Sequence, residues 1–318
     1  MPCLCCSRRV AGYANADFYD GSTSMLLKRL IAAWAMAASF TAAAQPPVPV
    51  TTSFSILGDL VKAVGGDRVA VTVLVGPNED AHMFEPKPAD AKAILQARLV
   101  VTNGLGFEPW MDKLMQSAGY KGTSVIASAG VQPRQMQDGG RTVTDPHAWQ
   151  NPANVIFYAN NIRKALEQLD PAGAATFAAN TSAYVAELQA LDAWATTQFA
   201  GVPAEKRKVI TSHDAFGYFA AHYRTKFLAP QGVSTDGEAS AKQVASLIRQ
   251  IQREKIKAVF LENMANPKLL EQLSKEAHMV PGDTLYADAL SAPDKPGATY
   301  LKMARHNITA LLAGLQKN

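Results

Sequence analysis

The sequence predicts an α/β protein of two lobes, each with a mostly parallel sheet, joined by one long helix. Three observations carry this expectation. Short β-branched runs alternate with amphipathic segments over residues 48–130, as they do where parallel strands are linked by helical crossovers. The alternation resumes near residue 207 and continues to the C-terminus. Between them, about 172–200 is rich in alanine with apolar residues at helical spacing. At ~1.5 Å rise per residue that helix is about 40 Å long, enough to cross a small domain.

The elements follow in order. "VPVTTSFSI" reads as a strand and "LGDLVKAVGG" as a helix ended by glycine. "VAVTVLV" is a β-branched strand, "PADAKAILQA" an amphipathic helix, and "RLVVTNG" a strand ending in a turn. "PWMDKLMQSAG" is a helix and "TSVIAS" a strand. The polar, Gly- and Pro-bearing stretch 131–146 reads as a surface loop. A helix covers about 153–169, and "DPAG" breaks it before the long helix. "RKVITSHDAF" is then a strand leading into a loop and helix, and "TKFLAPQGVS" is strand-like. "SAKQVASLIRQIQREK" puts Val244, Leu247, Ile248 and Ile251 on one helical face. "IKAVFLEN" is a strand, "PKLLEQLSKEAH" a helix, "DTLYADAL" a strand and loop, and "GATYLKMARHNITALLAGLQ" the closing helix.

The N-terminus carries an export signal. Residues 25–45 hold Lys28 and Arg29, then an apolar run from Leu30 to Phe40 that is short for a bilayer span. Ala42 and Ala44 occupy the small-residue positions of a cleavage site, which places the cut after Ala44. An uncleaved membrane anchor is the alternative reading. Met25 is an alternative translation start, since a polar, Cys-bearing stretch ahead of a signal is unusual. The expected organisation is a leader and signal peptide over 1–44, an N-terminal lobe over 45–170, the linking helix over 171–201, and a C-terminal lobe over 202–318.

All three cysteines, Cys3, Cys5 and Cys6, lie in that leader. The exported chain then has neither disulfide nor thiolate ligand. No cysteine follows the apolar run, which argues against a lipid anchor there. The formal charge of +4 and the lack of a Lys/Arg run favour no nucleic-acid partner. With 48% hydrophobic and 18% charged residues, the 318-residue chain suits a soluble periplasmic protein large enough for two domains.

Three of the six histidines stand where predicted elements give way to loops. His82 lies in "GPNEDAHMFEP" after one strand, His213 in "VITSHDAF" after another, and His147 between two prolines in "TDPHAWQNPANV". Asp288 follows the strand in "LYADALS". Ligands of open α/β sheets bind outside the carboxyl ends of strands, so the four could converge in a cleft. Three neutral imidazoles and one carboxylate would close a tetrahedral Zn²⁺ shell, with Zn–N about 2.0–2.1 Å. A shell filled by protein leaves no position for activated water, which favours binding over hydrolysis. Neither HExxH nor a Walker-type phosphate loop is present. Taken singly, each histidine reads more readily as a hydrogen-bonding or solvated loop residue than as a ligand. His222, His278 and His306 read as structural. Glu262, in "FLENMANP", reads as a partner to a ligand, as an alternative carboxylate ligand, or as a solvated loop acid.

As an ordered set, "GPNEDAHMFEPKPAD", "TDPHAWQNP", "VITSHDAFGYFA", "GEASAKQVASLI", "IKAVFLEN" and "YADALS" resemble the zinc/manganese solute-binding proteins of bacterial ABC importers. The resemblance runs from about Val48 to the C-terminus. It implies two Rossmann-like lobes joined by a rigid helix, with metal in the cleft between them. It places the family's ligands on His82, His147, His213 and Asp288. The third ligand is histidine in zinc members and commonly glutamate in manganese members, so His213 points to Zn²⁺ as the transported ion. It implies a monomer that delivers zinc to an ABC permease, with a periplasmic metallochaperone as an open further partner and no catalytic residues. Release is expected through local loop rearrangement around one ligand rather than wide lobe closure. The chain departs from the family in three places: residues 130–144 have no histidine, Asn151 replaces a usual Asp, and Ala81 a common Pro. The rival readings are a Mn²⁺ or Fe²⁺ carrier of the same class, a zinc hydrolase with Asp288 or Glu262 as base, and an adhesin.

Overall fold

The computed structural model describes residues 46–235, 241–276 and 278–318. The signal peptide, its cleavage site and the three cysteines lie outside the described residues. A four-stranded, fully parallel sheet forms first, in the order β2-β1-β3-β4. Its strands are β1 (Val48–Phe54), β2 (Val69–Val75), β3 (Leu99–Thr102) and β4 (Thr123–Ile126). Central β1 is buried almost throughout, whereas the first five residues of edge strand β2 alternate between half-buried and exposed. A covered parallel sheet requires that contrast between centre and edge.

The crossovers are α1 (Ser55–Gly65), α2 (Pro88–Gln96) and α3 (Pro109–Ala118). Proline opens both α2 and α3 at the position where a missing N–H costs nothing. Asp90 accepts the Lys87 backbone N–H at 2.6 Å and completes the cap of α2.

The stretch expected as a surface loop is instead an antiparallel hairpin, β5 (Arg134–Asp138) and β6 (Arg141–Asp145). Gly139 and Gly140 form its two-residue turn with φ of 55° and 80°. Two positive φ values in succession give the turn twist that matches paired strands, and glycine adopts them without strain. The Gly-Gly signal was present, but low hydrophobicity in the flanking strands hid it.

α4 (Pro152–Leu169) leads through a short 3-10 turn into α5 (Ala174–Ala200), the predicted long helix. Its buried residues Phe177, Thr181, Tyr184, Leu188, Leu191, Ala195 and Phe199 recur every three or four positions as one stripe. It packs on α1 and α4 and also on α6 (Gly217–Tyr223) and α9 (Tyr300–Leu315), so it touches elements of both halves of the chain. Among the described residues no helix is long and apolar enough to cross a membrane.

The second half pairs β7 (Lys208–Ile210) with β8 (Lys226–Leu228) in parallel. The expected strands in "IKAVFLEN" and "DTLYADAL" contribute single parallel bridges, Ile210 with Val259 and Glu262 with Leu285. Each ladder is short because the chain soon leaves it for the loops carrying Glu262 and Asp288. Helices α7 (Ala241–Glu254) and α8 (Pro267–Glu276) complete this half. The predicted face of α7 packs Leu247 and Ile251, flanked by Val244 and Ile248, against Ile210, Val259 and Leu273.

Candidate metal centre

Parallel strands of one sheet point their carboxyl ends to one rim, and the loops that meet here come from the rims of two different sheets. His82 follows β2, His213 follows β7, and Asp288 follows the bridge at Leu285. His147 arrives differently, two residues after the hairpin strand β6. The structure brings these four together: one donor atom from each lies within 4.8 Å of the others. His147, His213 and Asp288 are wholly buried, and His82 is 6% exposed at its side chain.

The Nε2 atoms face the carboxylate. His82 Nε2 lies 3.3 Å from His147 Nε2 and 3.3 Å from Asp288 Oδ2. His213 Nε2 lies 3.1 Å from Asp288 Oδ2, and His147 Nε2 3.7 Å from Oδ1. The approaches to Asp288 lack hydrogen-bond geometry: both Asp288 oxygens and His213 Nε2 are buried without a hydrogen-bond partner. Such orphaned groups cost about 1–3 kcal/mol each, more when charged, unless something else satisfies them. A cation does so. For metal–ligand bonds of about 2.0–2.1 Å, adjacent corners of a tetrahedron are about 3.3–3.4 Å apart, within the 3.1–3.7 Å range of these separations.

Carboxylates orient two of the three rings from behind. Asp145 Oδ1 accepts from His147 Nδ1 at 2.9 Å and from the His147 backbone N–H at 3.0 Å. Glu262 Oε2 makes a short hydrogen bond with His213 Nδ1, while Oε1 accepts the backbone N–H groups of Ser212 and His213 at 2.8 and 3.1 Å. With Nδ1 donating, Nε2 presents its lone pair to the centre. Glu262 is therefore a buried partner of His213, and the solvated-acid reading fails.

Charge is finely balanced here. Burial alone would lower the basicity of His213, but the Glu262 and Asp288 carboxylates outweigh it and hold its pKa well above the ordinary histidine value. Burial alone would likewise raise Asp288. The His213 and His147 rings reverse that and hold it well below the usual carboxylate range. Asp288 therefore stays ionised inside the protein.

The Asp288 loop is fixed from several sides. Trp149 Nε1 and Gln150 Nε2 both donate to the Ala287 carbonyl, at 2.9 and 2.6 Å. Asn307 on α9 accepts the Tyr286 N–H at 2.9 Å and donates to its carbonyl at 2.7 Å. Ser55 Oγ accepts the Leu290 N–H at 3.0 Å. Asn151 caps α4 by accepting the Ala153 N–H at 3.0 Å, which braces the turn after His147. The tilted rings of Phe54, Phe107 and Trp149, with centroids 4.7–5.0 Å apart, form the apolar floor beneath His82 and His147.

The remaining histidines lie outside the cluster. His222 pairs with Asp192 at 2.7 Å, His306 accompanies the Thr284 carbonyl at 2.9 Å, and His278 is exposed beyond α8. Sequence reasoning missed Asp145, Trp149, Gln150, Asn307 and Asp80. One signal existed for two of them: Asp80 and Asp145 each stand two residues before a site histidine and accept its backbone N–H.

A family profile described as zinc-uptake complex component A, periplasmic, matches residues 50–314. The iron-binding protein YfeA of Yersinia pestis is 33% identical over 266 residues, 83% of this chain and 85% of that protein. The manganese-binding lipoprotein MntA of Bacillus subtilis (strain 168) is 31% identical over 279 residues, 86% of this chain and 91% of that protein. Among solved structures, the periplasmic zinc binding protein TroA from Treponema pallidum is similar with a TM-score of 0.80 at 29% identity, covering 84% of this chain and 99% of that chain. The Mn-bound periplasmic metal binding protein from candidatus liberibacter asiaticus is similar with a TM-score of 0.75 at 31% identity, over 84% and 98% of the two chains.

Proposed function

This chain belongs to the zinc-uptake complex component A family, periplasmic metal-binding proteins of ABC importers and not enzymes, and from that premise we propose that its cargo is Zn²⁺ held by His82, His147, His213 and Asp288. One observation carries the reading: three Nε2 atoms and an ionised, hydrogen-bond-deprived carboxylate converge in a buried centre. Their separations suit the short bonds of tetrahedral zinc, and a nitrogen-rich donor set suits zinc better than manganese. Asp145 and Glu262 act behind the ligands, fixing the tautomer and aim of the rings once metal is bound.

The ion is captured outside the inner membrane and handed to the importer's permease. The chain is a monomer cut near Ala44, with lobes over 45–170 and 202–318 and the linking helix between. A second reading names Mn²⁺ or Fe²⁺. One observation favours it: both Asp288 oxygens lack partners, so a bidentate carboxylate would raise the donor count to five. The deciding measurement is metal content and competition binding on protein purified without added metal. Zinc retained against excess Mn²⁺ supports the first reading, and equilibrium preference for Mn²⁺ or Fe²⁺ overturns it.

A further inference from the structure

Two Asp-x-His turns enter the centre, and they are used differently. In both, Oδ1 of the aspartate accepts the backbone N–H of the histidine, at 2.8 Å for Asp80 and His82 and 3.0 Å for Asp145 and His147. Asp145 also holds the ring of its own histidine through Nδ1. Asp80 does not hold its ring. Its Oδ1 reaches on to the Met83 N–H at 3.4 Å, and its Oδ2 accepts the hydroxyl of Thr235, 155 residues away, at 2.5 Å.

His82 is consequently the least constrained imidazole of the three. Among the described residues no carboxylate orients its Nδ1, whereas Asp145 and Glu262 orient the other two. It also lines an open cavity, of about 630 Å³. The walls of that cavity include Phe107 and Pro109 from one side, Val143 and Thr144 of the hairpin, and Val233 and Ser234. Val233 and Ser234 immediately precede Thr235. The loop that forms one wall of the opening is therefore tied, through Thr235 and Asp80, to the backbone of the ligand beside it.

We propose that His82 is the ligand that exchanges when metal enters and leaves, and that Asp80, latched by Thr235, is the positioning residue that sets the rate of that exchange. The proposal rests on the metal-binding reading of the four-residue cluster. The Asp145 and Glu262 contacts keep His147 and His213 in place while His82 swings out. Breaking the Asp80–Thr235 bond loosens the His82 turn and the cavity wall together. A permease that opened this wall would thus release the ion without separating the two halves of the protein.

The test measures metal dissociation by stopped flow into excess chromophoric chelator, on the purified protein and on Thr235→Val and Thr235→Ser. A hydrogen bond to a charged group typically contributes enough that its loss speeds an exchange limited by it about tenfold or more. Thr235→Val should therefore release Zn²⁺ about tenfold faster, while Thr235→Ser, which keeps the hydroxyl, stays near the wild-type rate. In a His82→Asn background Thr235→Val should no longer change the rate. A Thr235→Val variant that releases metal at the wild-type rate overturns the proposal, as does an undiminished effect in the His82→Asn background. Parallel runs with Mn²⁺ read the same ratios on the other ion, so the latch and the identity of the cargo are decided separately. A wild-type protein that holds neither ion would overturn both.

Discussion

Glu108 offers the sharpest test of the electrostatics beneath the site. It precedes α3, and its buried carboxylate ties three elements together. Oε1 accepts Ser53 Oγ at 2.7 Å and the Asn103 N–H at 2.5 Å, and Oε2 accepts the Gly104 N–H at 3.3 Å. Asn103 in turn donates to the Pro146 carbonyl at 3.0 Å, next to His147. Burial pushes the Glu108 carboxyl up to about 7, and the donors only partly offset this. The unfolded value is 4.5. A folded pKa above the unfolded one means that the native state binds the proton more tightly. The associated stability is fully present below the unfolded value and is lost as pH rises through the folded one. Between about pH 5.5 and about pH 8 the loss is about 2 kcal/mol, from linkage at ~1.36 kcal/mol per unit. Glu108→Gln removes the titration. Its amide nitrogen must face a backbone N–H, which adds an offset independent of pH. Urea unfolding of metal-free protein across that range should show the wild type losing stability to the variant as pH rises. Parallel pH profiles for the two proteins would refute the reasoning.

Glu262→Gln cannot serve both backbone N–H groups and His213 Nδ1 with oxygen, so zinc affinity should fall about 10–100-fold, read by chelator competition; affinity within twofold of wild type would contradict the role. Asn307→Ala strips partners from the buried N–H and carbonyl of Tyr286. It should cost about 2–4 kcal/mol in urea unfolding, counting ~1–2 kcal/mol per orphaned group, and a neutral result would mean that water replaces both bonds. Asn151→Ala removes the cap of α4 and should cost about 1 kcal/mol, whereas Asn151→Asp should be near neutral in the same assay, a test of whether the departure from the family's usual acid matters.

Much of the site was legible residue by residue. His82, His213 and Asp288 each followed a run of strand character, and strand ends are where an α/β sheet presents ligands. His147 was legible for another reason, its place in the family-like stretch "TDPHAWQNP", since no parallel strand precedes it. The hairpin over residues 134–145 was not legible. Its strands carry Arg, Gln, Thr and Asp, and half-exposed two-stranded ribbons give little apolar alternation. The strands around Val259 and Leu285 were over-read for the opposite reason: apolar runs marked burial, but only isolated bridges form there.

The sequence by itself determined the alternation of strands and helices and the long helix, and it singled out the four residues that the fold brings together. These depend on local periodicity and on donor chemistry, and both are written in order along the chain. Only the tertiary structure decided which carboxylate stands behind which imidazole, that Trp149 and Gln150 grip the Ala287 carbonyl, and that Asp80 reaches Thr235 rather than the ring of His82. Most of these contacts join residues 49 to 155 positions apart. A hydrogen bond is a matter of a few tenths of an ångström and a direction, and neither can be read from a one-dimensional spacing until the sheet registers are set.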